Sequence, residues 1–189
     1  MDDFEKSLRE ITLAPYIVKA TVLIGVQRKS GSNMFRHQIS TLGILIDYKM
    51  VDPVLLKASV IHDIFEDAAG MPGVSEDAIK SLDADGEAVC RLVKEVTIRI
   101  NNGIKEPKSE FLLRVMTKGS ERAKVLKLAD RISNIFALGF VHDFAFVKKY
   151  LQETKDFILP FAENVNADMF RELSDLVKNR SEMLEKIQA

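Results

Sequence analysis

The sequence predicts an all-α fold, a single bundle of about eight to ten helices over residues 1–189. Helix-start signals recur along the chain, whereas alternating polar and apolar residues bounded by turns are nearly absent. Only nine glycines and five prolines occur, and no low-complexity linker or internal repeat divides the chain. A hydrophobic share of 47% with a charged share of 29% is typical of a soluble globular protein. We therefore expect one domain with a sizeable helical core.

The clearest helix start lies at Asp52 and Pro53. Aspartate is a favourable N-cap and proline suits the first helical position, so we expect a helix from here to about Asp67. The two glycines and the proline of residues 68–73 then end it. Further helices are expected over residues 36–50, 75–82, 85–97, 107–117, 120–138, 142–162 and 167–187.

One segment of the chain is β-prone. Residues 96–100 are rich in β-branched side chains, but the segment is short, and we interpret it as the end of a helix. The Asn-Asn-Gly sequence at 101–103 that follows predicts a turn.

Charge and cysteine content exclude several classes of protein. The 27 lysines and arginines nearly balance the 28 aspartates and glutamates, so neither a nucleic-acid partner nor a membrane surface is expected. The single cysteine, Cys90, lies in an apolar helical stretch and is expected to be buried rather than reactive. The N-terminus is acidic, and the apolar stretch 13–26 contains Pro15 and Lys19 and is too short to span a bilayer. We expect a cytoplasmic protein.

The segment 60–67 carries the strongest chemical signal. His62, Asp63, Glu66 and Asp67 alternate there with large apolar residues on one predicted helix. In a helix, the i, i+4 spacing puts His62 on the same face as Glu66, and Asp63 on the same face as Asp67. Ionisable side chains this close to a core cost several kcal/mol unless they are paired or bind a metal. The pattern therefore favours a bound divalent cation.

A hydrolytic metal site needs further ligands and an open position for water. His37, at the start of the helix predicted over 36–50, and Asp130, embedded in an apolar helical stretch, are the best candidates. Mixed imidazole and carboxylate ligands suit manganese, iron, zinc or magnesium.

A second His-Asp dipeptide, His142-Asp143, has a simpler interpretation. It follows Gly139 at the start of a predicted helix, where an aspartate favours the positive end of the helix dipole. For His62-Asp63, the corresponding alternative is a hydrogen-bonded core histidine beside an ion pair, in a purely structural helical protein. That alternative leaves Glu66 and the embedded Asp130 without an explanation.

These residues resemble the motifs of a known family. The order His37, His62-Asp63, Asp130 is similar to that of the HD-domain metal phosphohydrolases. Residues 62–67 resemble the HDxxED signature of the RelA/SpoT-type alarmone hydrolases of the stringent response. The QRKSG sequence at 27–31 and the KLADR sequence at 127–131 resemble two further motifs of that family. The resemblance covers about residues 15–165 and is closest to the small, hydrolase-only members.

The resemblance implies an all-α HD-domain bundle and a Mn²⁺-dependent (p)ppGpp 3′-pyrophosphohydrolase, of the phosphoric diester hydrolase class. The products would be GDP or GTP and pyrophosphate. Glu66 and Asp67 would orient or deprotonate the attacking water, which accords with carboxylates acting as general bases. The metal ligands implied are His37, His62, Asp63 and Asp130.

For substrate binding, the resemblance implies that Arg28 and Lys29 meet the base and phosphates of the nucleotide and that Asn134 contacts it. Cationic side chains neutralise such a polyanion. From the residues alone, a solvated loop is the alternative for Arg28 and Lys29, whereas the i, i+4 spacing puts Asn134 on the helical face of Asp130.

The chain also departs from the family. Phe136 and Ala137 stand where an arginine and a polar residue are common, so the pocket for the nucleotide is expected to differ. Gln38 follows His37 where proline is usual, and we expect little consequence. Two alternatives therefore stay open: hydrolysis of another phosphorylated nucleotide such as ppApp or NADPH, and a non-catalytic nucleotide-binding module.

Overall fold

The computed structural model describes residues 2–141 and 143–188. The predicted all-α class is confirmed, because helices dominate both of the compact units that the chain forms. The first unit consists of the chain up to Gln27 together with Asn33–Thr97, and the second of Arg28–Ser32 together with the chain from Ile98 onwards. The predicted single domain over 1–189 stays a prediction. No helix in the described ranges is both long and apolar enough to cross a membrane.

The first unit contains seven α-helices. Two of them precede the first helix that the sequence predicted, and a 3₁₀ turn, Thr21–Gly25, follows those two. The seven helices are α1 (Asp3–Arg9), α2 (Ala14–Ala20), α3 (Met34–Asp47), α4 (Pro53–Ser59), α5 (Ile64–Asp67), α6 (Glu76–Lys80) and α7 (Gly86–Val96).

Helix α4 begins as predicted but ends early. Asp52 caps it by accepting a hydrogen bond from the Leu55 backbone N–H at 3.0 Å, and Pro53 is its first residue. The helix predicted to reach Asp67 instead stops at Ser59 and resumes as the short α5. Between the two helices, a backbone N–H bonds to the carbonyl three residues earlier rather than four, as Ile64 N–H does to Ile61 O. His62 and Asp63 therefore lie in a tightened turn, not on a regular helical face.

The core of the first unit lies where α7 packs against α4 and α6. Leu56 of α4, Ile79 of α6 and Val93 of α7 are fully buried. Cys90 is buried in α7, as predicted. The apolar face of each short helix is thus covered by a neighbour, which stabilises helices that would be marginal alone.

A charged cluster lies beside this core. The ammonium of Lys57, a buried residue, donates to Asp83 Oδ2 at 2.7 Å and to Asp85 Oδ2 at 2.6 Å. Tyr16 donates its hydroxyl to Asp83 Oδ1 at 2.7 Å. Desolvation opposes ionisation of Asp83, but hydrogen bonds from Lys57, Tyr16 and the Asp85 backbone outweigh it and lower the pKa of Asp83. The cluster ties α2 and α4 to the segment before α7.

We expect Asp83→Asn to lower the free energy of unfolding by about 1–3 kcal/mol at pH 7, because one of the two charged partners of the buried Lys57 is lost. The Asp83 carboxyl binds its proton more weakly in the folded protein than in the unfolded chain. Its contribution is therefore present above the unfolded pKa of about 4 and is lost as the pH falls below it. Urea unfolding of both proteins at pH 7 and pH 3 measures the difference. Asp175→Asn, at an exposed position of the last helix, is the control. If the two proteins differed in free energy of unfolding by the same amount at pH 7 and pH 3, the stabilising role of the Asp83 charge would be contradicted.

The second unit contains the remaining helices and a small hairpin. Strands β1 (Ile100–Asn101) and β2 (Ile104–Lys105) pair antiparallel around Asn102 and Gly103, whose φ angles of 51° and 78° suit a tight turn. The predicted turn is thus present, but the helix end predicted over 96–100 is wrong, because α7 stops at Val96. The helices are α8 (Lys108–Lys118), α9 (Glu121–Ala137), α10 (Phe144–Phe157), α11 (Leu159–Val165) and α12 (Ala167–Gln188).

Helices α10 and α11 were predicted as one helix over 142–162. Pro160, in the first turn of α11, has no backbone N–H to continue the hydrogen-bond ladder, so the helix is divided at Ile158. Asp143 caps α10 by accepting from the Phe146 N–H at 3.0 Å, which confirms its predicted helix-start role. His142, the other half of that dipeptide, lies outside the described residues.

Helix α9 is held at both ends. Ser120 caps its start by accepting from the Ala123 N–H at 3.2 Å. At its end, Arg180 of α12 donates to the backbone carbonyls of Ile135 at 3.3 Å and Phe136 at 2.8 Å. The Ile135 carbonyl also accepts from the Leu138 backbone N–H, and a cation is favourable at this end of the helix dipole. The position of α9 matters because it carries Asp130 and Asn134.

Candidate functional site

The first unit brings three predicted metal ligands together. His37 lies in the first turn of α3, which Asn33 caps through the Arg36 N–H at 3.0 Å. His62 and Asp63 come from the turn between α4 and α5. Each of these residues, His37, His62 and Asp63, has a potential metal-ligand atom that lies within 4.8 Å of those of the other two. Residues 25 positions apart in the sequence therefore form one cluster.

The cluster centres on one carboxylate oxygen. Asp63 Oδ2 lies 3.4 Å from His37 Nε2 and 3.0 Å from His62 Nε2. The two imidazole rings meet edge to face, with centroids 5.1 Å apart. Both histidines are only 1% exposed, whereas the Asp63 side chain is 18% exposed. The histidines are thus buried and the carboxylate reaches towards the surface.

The tautomer of His62 favours a cation at this point. His62 Nδ1 lies 2.8 Å from the Ser59 carbonyl oxygen, which can only accept, so Nδ1 carries the proton. In the neutral ring, Nε2 is the nitrogen with the lone pair, and it faces Asp63 Oδ2. Two acceptors 3.0 Å apart repel each other unless a proton or a cation lies beside them. Ligand atoms about 2.1 Å from one divalent ion, at right angles, are about 3 Å apart, so the donor set fits a metal.

Gln38 joins this cluster, although the sequence analysis expected little consequence from it. Its side-chain Nε2 donates to Asp63 Oδ2 at 3.0 Å, and the residue is fully buried. The expectation is therefore corrected: Gln38 contacts a candidate ligand directly. Its place one residue after His37 was the available signal, but sequence alone did not show where its amide would point.

Asp67, at the end of α5, has an unusual ionisation. The residue is exposed at the surface, yet desolvation of its carboxyl, followed by the negative charges of Asp63 and Glu66, raises its pKa to about 6. Such a carboxylate accepts a proton more readily than an ordinary aspartate does. Glu66, beside it in α5, is half-buried. Both predicted catalytic residues thus occupy the short helix that follows Asp63.

In the second unit, three predicted residues form a hydrogen-bonded chain. The Arg28 guanidinium donates to Asn134 Oδ1 at 2.6 Å, and Asn134 Nδ2 donates to the Asp130 side chain and to its backbone carbonyl. Lys127, which the sequence analysis did not single out, donates from Nζ to Asp130 Oδ2 at 2.9 Å. Asp130 and Lys127 are buried. A lysine three residues before a buried aspartate was the signal for this pair.

Lys29 is held differently from Arg28. Its ammonium lies 4.3 Å from the centroid of the Phe146 ring and 4.0 Å from Asp143 Oδ2. Its side chain nevertheless stays 65% exposed. The amine can therefore exchange this exposed and weak ion pair for a stronger anion.

Comparison with known proteins identifies a structural relative. No protein-family model and no curated protein matches this chain. A solved structure of a metazoan ortholog of SpoT, a protein that hydrolyzes ppGpp and plays a role in starvation responses, matches with a TM-score of 0.65 and 24% sequence identity. The match covers 89% of this chain and 94% of that chain.

The two chains share a fold.

This shared fold agrees with the all-α class predicted from the sequence. It also covers more of the chain than the motifs at 27–31, 62–67 and 127–131 do. The shared fold thus agrees with the placement of the helices, whereas the chemistry has to be argued from this chain's own side chains.

Proposed function

We propose that this protein is a metal-dependent hydrolase that removes the 3′-diphosphate from (p)ppGpp. The observation that carries the proposal is the buried His37, His62 and Asp63 cluster, found in a chain that shares its fold with a protein that hydrolyzes ppGpp. Hydrolysis would break the bond between the ribose 3′-oxygen and phosphorus. The oxygen of water would bond to that phosphorus, and pyrophosphate and GDP or GTP would be released.

The metal proposed is Mn²⁺, held by His37, His62, Asp63 and Asp130. Asp130 is included because the KLADR sequence at 127–131, which contains it, resembles a motif of the HD-domain family. Two imidazoles and two carboxylates suit manganese, and iron, zinc and magnesium are the other candidates. When bound, the ion would polarise a phosphoryl oxygen and lower the pKa of water.

Glu66 and Asp67 are proposed to position the attacking water and accept its proton. In the metal-free chain the pKa of Asp67 is about 6, so its carboxylate is mostly ionised at neutral pH and is able to accept a proton. Glu66 lies three residues after Asp63, so both side chains belong to one turn of the chain. Two neighbouring carboxylates allow one to orient the water while the other takes the proton.

Arg28, Lys29 and Asn134 are proposed to bind the nucleotide. Asn134 accepts from Arg28, which leaves further N–H groups of the guanidinium for phosphate oxygens or the base. The exposed Lys29 amine supplies a second positive charge. The partner would be a small phosphorylated nucleotide. Because the net charge of the chain is only −1, a nucleic-acid partner is not expected. A cytoplasmic location is proposed for such an enzyme.

A related nucleotide is the second candidate substrate. Phe136, at the end of α9, is 62% exposed. At Phe136 and Ala137, the family that this chain resembles commonly has an arginine and a polar residue. An exposed aromatic ring can stack on a base but cannot neutralise a phosphate. The difference favours a substrate whose base or phosphate arrangement differs from that of ppGpp, such as ppApp or NADPH.

One experiment tests the proposal and separates the two substrates. The purified protein with Mn²⁺ is offered ppGpp, pppGpp, ppApp and NADPH, and released pyrophosphate and orthophosphate are measured separately. Pyrophosphate from ppGpp is the expected product, whereas orthophosphate from NADPH would favour the second candidate. Bound Mn²⁺ without turnover of any of these nucleotides would overturn the proposal and favour a non-catalytic binding module.

A further inference from the structure

The side chain of Gln38 stands out among the buried polar groups of the first unit. Gln38 follows His37 on α3, and neighbouring helical residues differ by only about 100° in direction. Both residues are buried, at 1% exposure for His37 and 0% for Gln38. The two side chains therefore reach the interior side by side, and they approach the same aspartate, Asp63.

The orientation of the Gln38 amide follows from chemistry. An ionised carboxylate accepts hydrogen bonds and cannot donate them, so the group facing Asp63 Oδ2 at 3.0 Å is the amide NH₂. The amide oxygen Oε1 then points away from Asp63, and it has no hydrogen-bond partner in the described chain. The Asp63 contact is thus the one hydrogen bond that the buried amide makes among the described residues.

A purely structural role does not account for this arrangement. A methionine has nearly the same volume and would fill the site without burying an unsatisfied amide oxygen. An unsatisfied buried acceptor costs about 1–3 kcal/mol. A buried polar side chain is stabilised by the hydrogen bond that one of its groups makes. In Gln38 that group is the NH₂, and its partner is Asp63.

We propose that Gln38 is a positioning residue for the metal. Its NH₂ group holds Asp63 Oδ2 between His37 Nε2 and His62 Nε2, in the orientation that binds a divalent ion. Hydrogen bonds from the protein to metal-ligating carboxylates fix the ligand before the ion arrives, and their loss typically costs 10–100-fold in metal affinity. This inference rests on the metal site of the proposed function, but it concerns affinity for the ion rather than turnover.

The test is the dissociation constant of Mn²⁺, measured from the electron paramagnetic resonance signal of free Mn²⁺. We expect Gln38→Met to raise this constant about 10–100-fold, because volume is kept and the donor is lost. Gln38→Glu should raise it at least as much, since it sets an acceptor against the Asp63 carboxylate. Unfolding of the metal-free proteins in urea shows whether each variant is folded.

Gln152→Met is the matched control. Gln152 of α10 also donates its side-chain NH₂ to a carboxylate, Asp156 Oδ1 at 2.8 Å, but both residues are exposed. We expect its Mn²⁺ dissociation constant to equal that of the wild type. A folded Gln38→Met protein with a wild-type constant would overturn the proposal.

A second measurement uses the wild-type protein alone and does not depend on whether a variant folds. The side-chain amide resonance of Gln38 is followed by nuclear magnetic resonance during titration with a diamagnetic divalent ion, Mg²⁺ or Zn²⁺. A shift that saturates with the ion is expected, and an unmoved resonance in a protein that binds the ion would overturn the role. Failure of ppGpp hydrolysis would leave these affinities unaffected, so the two proposals fail separately.

Discussion

Replacing Asp63 by alanine is expected to abolish metal binding and hydrolysis together. Asp63 Oδ2 is the atom that both histidine Nε2 atoms approach, at 3.0 and 3.4 Å. Without it, the two imidazoles, each 1% exposed, lose the carboxylate that both approach, and Asp130 is the only proposed ligand left with a negative charge for a divalent ion. Elemental analysis of the purified variant gives metal content, and pyrophosphate release from ppGpp with added Mn²⁺ gives activity.

The control for this variant is Asp77→Ala. Asp77 is an exposed aspartate of α6 in the same unit, and its removal should leave metal content and activity unchanged. An Asp63→Ala protein that keeps its metal would show that the ion is bound elsewhere. One that loses its metal but still hydrolyses ppGpp would remove the metal from the mechanism.

Glu66→Gln is expected to keep the metal and to lower kcat by about 10²- to 10⁴-fold. The amide preserves the size and polarity of the side chain but cannot accept the proton of an attacking water, and this is the range associated with loss of a general base. The measurement is kcat for ppGpp at saturating Mn²⁺, with metal content determined on the same sample.

Glu110→Gln, at an exposed position of α8, is the control for the charge change. An unchanged kcat in Glu66→Gln would exclude Glu66 from proton transfer and leave that role to Asp67. Loss of the ion from this variant would make Glu66 a ligand rather than a base.

The helices illustrate how far sequence reasoning carries. The predicted starts at Asp52, Ser120 and Asp143 all act as N-caps, because a short polar side chain ahead of a helix finds the free backbone N–H groups wherever the helix lies. Ends were less predictable. Helix α4 stops at Ser59 although residues 60–67 continue the same apolar pattern. A backbone N–H can bond to the carbonyl three or four residues earlier, and the surroundings of the turn decide which bond forms.

The candidate site shows the same division. His62, Asp63, Glu66 and Asp67 stood out because ionisable side chains among apolar ones are costly to bury, and that cost is readable from neighbours in the sequence. The sequence did not show which ring nitrogen of His62 faces Asp63. That orientation depends on the Ser59 carbonyl, which is free to accept from Nδ1 at 2.8 Å in the turn after α4.

What the sequence did not show was which residues far apart in the chain contact each other. Gln38 meets Asp63 across 25 positions of sequence, and Arg28 meets Asn134 across 106. Lys127 and Asp130 lie only three residues apart, but a lysine in a helix is usually solvated, and the burial of this ion pair is visible only in the structure.

The amino-acid sequence by itself determined the helical class, most helix starts and the types of side chain available to bind a cation. These features depend on periodicity, capping and the cost of burying charge, which act over a few neighbouring residues. The tertiary structure alone decided which of those side chains meet. Placing two imidazoles and an amide around one oxygen of Asp63 requires α3 and the α4–α5 turn to pack together, and packing depends on contacts between residues far apart in the chain.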